Sequence, residues 1–424
     1  MKNILKSIVA FILSLAARAV VHRYRPRIVM VTGSVGKTST KDAVAAVLAA
    51  RFFVRASDKS FNSELGVPFT ILGVKNPWCS PLQWLSVLKS ALALLILPNH
   101  YPNMLVLEVG ADRPGDLARI LRIATPEAVV VTRLPEISVH IESYPTPEAV
   151  REEEFSPAYA LAPAAPLIVS ADDPYALDMA MRIPGRLISY GISDAATVRI
   201  SDAGFYEVDA KIVGMRAKVH VGDTQEELVV EGSVGTIQLF PSAAALAVAI
   251  AFSIPLPEAL RALGEYTPPP GRGRLFGGKN NSIIIDDSYN ASPAAVEEGL
   301  STLKTFPHAK RRIAVLGDML ELGRYSLMEH ERIGLLAHGS ADVIVAVGVR
   351  ARAFAKTAQS AEVILFDNAF AAAVALPSLV REGDVILIKG SQSIRMERVV
   401  EALLANPADV VQLVRQEKAW KRKA

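Results

Sequence analysis

Short runs of β-branched and aliphatic residues alternate with amphipathic segments over the first half of the chain. The runs predict strands, and two of the segments between them clearly predict helices. The predicted strands lie at 28–32, 104–109, 128–132 and 167–170, and the helices at 41–50 and 115–123. Because strands that alternate with helices form parallel sheets covered on both faces, residues 27–187 predict an α/β fold.

The pattern changes twice farther along the chain. Residues 187–232 alternate apolar and polar side chains, which predicts an antiparallel edge of the same sheet, covered by an alanine-rich helix at 243–252. The proline-rich segment 265–274 predicts a linker, since proline cannot continue a helix or a central strand. Strand–helix alternation then resumes, with predicted strands at 283–286, 312–316, 343–347 and 385–389.

These patterns divide the chain into three segments, and its length agrees with more than one domain. The chain has 424 residues, too many for one core. Its net charge of +3 gives no reason to expect a nucleic-acid partner. The single cysteine, Cys79, excludes a disulfide framework and a cysteine-based metal site within one chain, which fits a reducing cytoplasm. The segments are an N-terminal helix (1–26), a central domain with a mostly parallel sheet (27–268) and a C-terminal Rossmann-like α/β domain (269–424).

The first 21 residues support two interpretations. Basic residues precede an apolar run that Arg18 interrupts, and the run is shorter than the ~20 residues that span a bilayer. One apolar stripe could pack as a docked helix, or it could lie on a membrane surface between basic flanks. This stripe comprises Ile4, Leu5, Ile8, Val9, Ile12, Leu15 and Ala16.

The strongest chemical signal is the segment 28–40, where a β-branched run meets a glycine turn that carries Gly-Lys-Thr. Such a turn directs backbone N–H groups at a helix N-terminus into a concavity that suits a polyphosphate. Lys37 would reach the terminal phosphates, and Thr38 would place its hydroxyl on Mg²⁺. The spacing departs from the common P-loop because Val31 stands where the first glycine is usual. The predicted nucleotide-binding residues are Gly33, Ser34, Val35, Gly36, Lys37, Thr38 and Ser39.

Other polar residues follow predicted strands. Glu108 ends a predicted strand at the edge where doubly wound sheets bind ligands, so it could join Thr38 around Mg²⁺. His140 and the acidic residues 152–154 would, taken alone, be a surface histidine and a solvated helix face. The segment 286–293 could contact a nucleotide, and it equally predicts a strand-to-helix turn in which Ser292 is the N-cap.

Several longer motifs resemble the Mur ligase superfamily, the ATP-dependent amide-bond ligases of peptidoglycan precursor synthesis. Thr-Gly-Ser-Val-Gly-Lys-Thr is similar to the short P-loop of that family. Other blocks most resemble its MurF type, which joins D-alanyl-D-alanine to UDP-N-acetylmuramoyl-tripeptide. They are Phe-Asn-Ser-Glu-Leu-Gly-Val-Pro (61–68), Gly-Arg-Leu-Phe (273–276), Asp-Asp-Ser-Tyr-Asn-Ala-Ser-Pro (286–293), Val-Leu-Gly-Asp-Met-Leu-Glu-Leu-Gly (315–323) and Lys-Gly-Ser-Gln-Ser-Ile-Arg-Met-Glu (389–397).

The resemblance implies that ATP phosphorylates a substrate carboxylate and that an amine then attacks the acyl phosphate. It implies roles for residues that match the family's motifs. The implied catalytic residues are Lys37, Glu108 and His140, and the implied Mg²⁺ ligands include Thr38, Glu108 and His140. The implied ATP contacts from the C-terminal domain are Arg274, Asp287 and Asn290, and the implied substrate contacts are Asn62, Ser63 and Ser391.

Two departures from the family pattern affect these implications. The family usually has a carbamylated lysine as a metal ligand, and by spacing Glu154 stands there in this chain. We predict that Glu154, or neighbouring Glu153, replaces the carbamate permanently. The family's N-terminal domain, which binds the UDP end of the substrate, is expected to be absent because only residues 1–26 precede the P-loop strand.

The sequence therefore predicts a cytoplasmic, ATP- and Mg²⁺-dependent ligase of MurF type that acts on a nucleotide-sugar peptide and a dipeptide. Two alternatives remain. One is a related ligase with a different acceptor, such as a lipid-linked or poly-amino-acid substrate. The other is an ATP-binding paralogue without turnover. Membrane-surface contact through residues 1–21, at the inner face of the membrane, and a partner that supplies the substrate domain are further interactions that this interpretation leaves open.

Overall fold

The structure is a computed structural model that describes residues 2–58, 61–77, 80–357 and 361–421; Cys79 lies outside the described residues. Its helices are α1 Lys2–Tyr24, α2 Lys37–Ala49, α3 Gly66–Leu72, α4 Pro81–Ile96, α5 Asp116–Leu121, α6 Pro147–Tyr159, α7 Pro174–Ala180, α8 Phe240–Ala251, α9 Leu256–Gly264, α10 Pro293–Thr305, α11 Ser326–His338, α12 Ala353–Thr357, α13 Ala369–Ala375, α14 Glu397–Leu403 and α15 Lys418–Lys421.

The strands form two sheets. They are β1 Arg27–Thr32, β2 Val54–Ala56, β3 Met104–Glu108, β4 Ala128–Val131, β5 Pro166–Ser170, β6 Arg186–Gly191, β7 Val198–Val208, β8 Lys211–Val221, β9 Thr224–Glu231, β10 Arg274–Gly278, β11 Ser282–Asp287, β12 Arg311–Gly317, β13 Val343–Val347, β14 Glu362–Phe366 and β15 Asp384–Lys389.

The first sheet has the strand order β2-β3-β1-β4-β5-β6-β7-β8-β9. Its strands are parallel from β2 to β7, whereas β7, β8 and β9 pair antiparallel. The predicted antiparallel edge is therefore confirmed for β7–β9 and wrong for β6, which pairs parallel with β5. The reason is that α7 lies between β5 and β6 and supplies the crossover that parallel neighbours require.

Both faces of this sheet are covered, which explains its continuous apolar strands. Along β1, Val29 and Val31 pack into one core with α2 and α8, whereas Ile28 and Met30 pack into the other with α1 and α3. The predicted alanine-rich helix is confirmed as α8. Because β1 is central and buried, the loop that follows it lies at the middle of the sheet's carboxyl edge.

The second sheet has the order β10-β11-β15-β12-β13-β14, and only its edge strand β10 is antiparallel to its neighbour in the described sheet. All four predicted strands of this half are confirmed. Strand β14 was missed because it lies at an edge and is partly exposed, and β10 because it ends in Gly-Gly instead of a β-branched run. The predicted linker separates α9 from β10, so the two sheets fall on either side of it.

Helix α1 is docked, and its packed face coincides only in part with the predicted stripe. Val9 and Ala16 of that stripe are partly buried against the core, whereas Ile12 and Leu15 are exposed. The fully buried positions among the described side chains are Ala10, Leu13, Ala17 and Val20. The stripe was only partly correct because apolar residues occur on nearly every side of this helix, so periodicity alone could not select the packed face. The side chains of residues 2–8 lie outside the described part. No helix in the described residues is both long and apolar enough to cross a bilayer.

Candidate active site

The loop between β1 and α2 has the backbone shape of a phosphate-binding turn. Gly33 has φ of 111° and Gly36 has φ of 90°, conformations that residues with a Cβ rarely adopt. A Cβ at Gly33 would also collide with the Thr132 hydroxyl. Gly36 is the N-cap of α2, so the backbone N–H groups of the first helical turn face the loop. The two glycines therefore fix a turn suited to bind an anion.

Lys37 and Ser34 are held within this loop by protein groups. Lys37 Nζ donates to Gly33 O and lies 3.7 Å from Glu154 Oε1. Ser34 Oγ donates to Glu154 Oε2 and lies 2.9 Å from Ser138 Oγ. The carboxylate of Glu154 thus occupies a position beside the amine that would contact a phosphate.

Glu108 is fully buried at the end of β3, next to the same loop. Burial raises the pKa of Glu108. The charges of Lys37 and Lys41 and a hydrogen bond with Thr38 oppose this effect but do not outweigh it. Its Oε1 lies 3.4 Å from Asn62 Nδ2. Its Oε2 has no hydrogen-bond partner among the described residues. A buried carboxylate oxygen without a partner, next to a hydroxyl, fits a site for a hard divalent cation.

Two of the four predicted metal ligands are adjacent, and the other two contact different partners. Thr38 and Glu108 are adjacent. Glu154 contacts the P-loop, and His140 contacts acidic residues: its Nδ1 lies 2.8 Å from Glu321 and its Nε2 lies 3.5 Å from Asp112. Within the described ranges, no three His, Cys, Asp or Glu side chains are arranged to hold a metal ion.

Glu321 was not identified as a site residue from the sequence. It lies in the Val-Leu-Gly-Asp-Met-Leu-Glu-Leu-Gly block and reaches His140 from the other side of the linker. Burial lowers the pKa of His140, but the hydrogen bond and the charge of Glu321 outweigh it and leave the pKa raised. The resemblance of that block to the family's motif was the available signal, although nothing in it specified the partner of Glu321.

Glu153, the second candidate for the carbamate position, is held by hydrogen bonds within the protein. Its carboxylate accepts hydrogen bonds from Gly115 N and Leu117 N, both at 3.0 Å. These groups lie at the N-terminus of α5, where a carboxylate stabilises orphan N–H groups. The structure therefore directs Glu153 away from the P-loop and leaves Glu154 as the candidate.

A cleft that is partly open to solvent separates the P-loop from the second sheet. Val35, Gly36 and Ser39 line one wall. The other wall includes Arg272, Asp287 and Lys389. Of the residues predicted to contact ATP from the C-terminal domain, Asp287 belongs to this lining, whereas Arg272 and Lys389 were not predicted.

Buried Lys389 pairs with partly buried Asp287 in this wall, and Lys389 Nζ lies 2.5 Å from Asp287 Oδ2. Burial lowers the pKa of Lys389, and the negative charge of Asp287 opposes that effect. Lys389 Nζ also donates to Asn290 O at 3.0 Å. Sequence reasoning missed Lys389, although it begins one of the motifs quoted above.

The arginine that faces the cleft is Arg272, two residues before the predicted Arg274. Arg272 lies over the ring of Tyr289, 4.2 Å from its centroid, and its Nε is buried without a hydrogen-bond partner in the described structure. Arg274 instead donates to Gln412 Oε1 at 2.8 Å and does not belong to the cleft lining. The Gly-Arg-Gly-Arg segment contains both arginines, and the contact of Arg274 with ATP stays a prediction.

Three other predicted site residues have their polar groups engaged by the protein. Asn290 Oδ1 accepts from Gln392 N at 3.3 Å. Ser391 Oγ accepts from Leu320 N at 2.8 Å and joins two loops. Ser63 is exposed, and its Oγ lies 3.4 Å from Gly66 N at the start of α3. Their ligand roles remain predictions.

Comparison with known proteins agrees with this geometry. Residues 31–230 match the model of the Mur ligase middle domain, and residues 271–392 match that of the Mur ligase glutamate ligase domain. A UDP-N-acetylmuramoyl-tripeptide–D-alanyl-D-alanine ligase of Mycobacterium leprae is 30% identical over 413 residues, which cover 90% of this chain and 74% of that protein. This chain belongs to the Mur ligase family.

Other relatives of this Mur ligase agree with the assignment. The corresponding ligase of Bacillus subtilis is 25% identical over 398 residues, covering 92% of this chain and 79% of that protein. A solved MurF ligase of Thermotoga maritima in complex with ADP superposes with a TM-score of 0.76 at 27% identity, covering 93% of this chain and 83% of that one. The predicted fold class and family are confirmed, and the chain is an ATP-dependent ligase.

Proposed function

We propose that this Mur ligase is of MurF type and couples D-alanyl-D-alanine to a UDP-muramoyl-peptide in the cytoplasm, where ATP is available. The names of its curated relatives support the substrate pair. The observation that carries the ligase chemistry is Glu108, which lies beside Thr38 and Lys37 and whose buried Oε2 has no hydrogen-bond partner in the part of the chain that the structure describes. We also retain the domain boundaries 27–268 and 269–424 as part of this proposal.

In this proposal the triphosphate binds at the turn between β1 and α2. The N–H groups of residues 33–39 contact the phosphates, and Lys37 exchanges Gly33 O for a phosphate oxygen. Arg272, Asp287 and Asn290 contact the nucleotide from the facing wall, with Arg274 as a neighbouring candidate. An arginine suits this wall because its guanidinium can form two hydrogen bonds to one phosphate.

Thr38 and Glu108 would hold Mg²⁺, because an unsatisfied carboxylate oxygen and a hydroxyl are oxygen ligands of the kind that this ion prefers. When bound, the ion supplies positive charge that neutralises the phosphate oxygens. We propose His140 and Glu154 for a second ion, and this role requires both side chains to leave their present partners. Lys37 adds a fixed positive charge on the same side of the cleft.

The proposed reaction has two steps. An oxygen of the substrate carboxylate attacks the γ-phosphorus, the bond to the β-phosphate oxygen breaks, and ADP and an acyl phosphate result. The amine of the dipeptide then attacks the acyl carbon, an amide bond forms, and inorganic phosphate leaves with the electron pair of the broken bond while the amine loses a proton. Asn62, Ser63 and Ser391 are the proposed substrate contacts, and the cleft would exclude water from the acyl phosphate.

The experiment is ADP release with UDP-muramoyl-tripeptide and D-Ala-D-Ala, added together and separately. The proposal predicts release that requires both substrates. Release with only a lipid-linked or poly-amino-acid acceptor would favour a ligase with a different acceptor, and tight ATP binding without release would favour an inactive paralogue. Whether a partner chain contributes to substrate binding is tested by adding cell extract to the same assay.

A further inference from the structure

Two neighbouring helices on the outside of the first sheet expose apolar side chains toward solvent. On α1 these are Phe11, Ile12 and Leu15. Their exposed fractions range from 45% for Ile12 to 64% for Phe11. A cluster of large exposed apolar side chains is unusual, because monomeric soluble proteins seldom expose large contiguous apolar patches.

Helix α4 continues this surface. Its inner positions Val87, Ala91 and Leu94 are buried against the core. Its outer positions are Leu82, Leu85, Leu88, Leu92 and Ile96, which recur at helical spacing and reach 78% exposure at Leu82. The helix is thus apolar on both sides, although only its inner side packs against the described protein.

The two helices are fixed to each other. Tyr24 Oη at the end of α1 donates to Leu94 O at 2.8 Å, and Arg23 Nη2 donates to Leu97 O at 3.2 Å. Leu13, Ala17 and Leu94 share one buried core, so the exposed residues of both helices belong to one layer. We call these exposed apolar residues of α1 and α4 the α1–α4 face.

The charges on the two helices themselves have one sign. Residues 1–41 and 65–107, which contain both helices, include no Asp or Glu. The only charged residue of α4 is Lys89, which is exposed. Along α1, Arg18 follows Leu15 on the outward side by one helical turn.

A basic groove borders the face at the end of α1. It is lined by Arg18, His22 and Arg25 together with Arg122 after α5. All four side chains are exposed, and the described lining of the groove contains no acidic residue. The groove therefore offers several positive charges to an anion next to an apolar surface.

We propose that the α1–α4 face binds the surface of an anionic lipid bilayer, with its leucines in the interface and the groove arginines on lipid phosphates. An apolar helix face with a basic border and no acidic residue matches the chemistry of such a surface. A second copy of this chain is a poorer match, because pairing this face with itself would bring the same cations together. The helices lie on the bilayer without crossing it. This inference does not depend on the proposed ligase reaction.

The test is flotation of the full chain with phosphatidylglycerol–phosphatidylcholine vesicles and with vesicles of phosphatidylcholine alone. We expect binding to the anionic vesicles that weakens as salt is raised, since surface charges are screened. Removal of two groove charges, Arg18→Gln/Arg122→Gln, should lower the partition coefficient roughly fivefold for each cation. The double variant Lys211→Gln/Lys279→Gln removes two exposed lysines elsewhere and should change it little.

Apolar contact is tested by Leu85→Glu/Leu92→Glu on α4. This variant should lower the partition coefficient at least tenfold, because each change removes apolar contact and adds repulsion. The matched control is Phe370→Glu/Val374→Glu, two residues of α13 that are 67% and 69% exposed. It should bind vesicles as the parent chain does, and circular dichroism should show that both variants are folded.

Three results would overturn the proposal. The first is failure of the parent chain to float with anionic vesicles at low salt, and the second is flotation of Leu85→Glu/Leu92→Glu equal to that of the parent chain. The third is a dimer of the parent chain, detected without lipid by sedimentation velocity, that Leu85→Glu/Leu92→Glu dissociates, since the face would then bind a second copy. ADP release measured in solution is a separate readout, so loss of vesicle binding and loss of ligase activity can be distinguished.

Discussion

The acidic and basic groups around the P-loop fall into two regions that differ in how well their charges are satisfied. In the first region, at the end of β3, Glu108 is buried and one of its oxygens has no partner in the described structure. In the second region, His140 is paired with Glu321 and Asp112, and Glu154 is paired with Lys37 of the P-loop. Because burying an unsatisfied charged group is costly, the first region favours a bound cation, whereas the charges of the second are paired until its contacts are exchanged.

The largest expected effect is that of Glu108→Gln. Turnover should fall roughly 100-fold or more, since a charged group near the transferred phosphoryl is lost. The thermal midpoint of the ligand-free protein should rise at the same time, because a buried carboxylate with a raised pKa destabilises the fold when it ionises. Glu226→Gln, on the exposed edge strand β9, is the control for both measurements. Unchanged turnover would show that Glu108 holds no required ligand.

Arginine substitutions compare the two candidates on the facing wall. Arg272→Ala should raise the KM for ATP about tenfold, since a charge-assisted hydrogen bond is lost. Arg274→Ala should change this KM much less, because its guanidinium is held by Gln412. Steady-state kinetics with varied ATP measure both. The reverse order of effects would mean that the wall rearranges when the nucleotide binds.

Glu154→Gln tests the region in which the charges are paired. If Glu154 replaces a carbamylated lysine, the Mg²⁺ concentration for half-maximal turnover should rise about tenfold, because the substitution removes one charged oxygen ligand of the ion. Glu153→Gln is the matched control, and it should lower stability through α5 without changing the Mg²⁺ requirement. Full turnover of Glu154→Gln at the parent Mg²⁺ requirement would refute the replacement.

The smallest effect concerns stability. Burial raises the pKa of Asp286 from 3.8 to about 6. The folded chain therefore binds a proton that the unfolded chain has released between these values, so stability falls as the pH rises through this window, by about 3 kcal/mol in total. Asp286→Asn should increase the free energy of unfolding by about 1–3 kcal/mol at pH 7.5 and have little effect at pH 4.

Urea titrations of Asp286→Asn at the two pH values measure this difference. Asp223→Asn, an exposed aspartate between β8 and β9, serves as the control. An equal effect of Asp286→Asn at both pH values would show that the ionisation of Asp286 is not the cause.

The sequence predicted the parallel cores and the P-loop because both depend on local patterns. The β-branched strands β1, β3 and β4 and the turn glycines are specified by near neighbours. The partners of Glu154, His140 and Arg272 are set by contacts across the fold, and spacing in the sequence contains no information about them. The packed side of α1 was predicted only in part for a related reason, since apolar residues surround the helix and its contacts with α3 and α4 determine which side is covered.

The most direct test is calorimetric titration of the folded chain with Mg·ATP, in parallel with Lys37→Ala and the exposed-site control Lys211→Ala. The account predicts saturable heat with one nucleotide per chain for the parent and Lys211→Ala, and weakening of at least tenfold in Lys37→Ala, since a charge-assisted phosphate contact is lost. Absence of nucleotide binding by the folded parent chain would contradict the account.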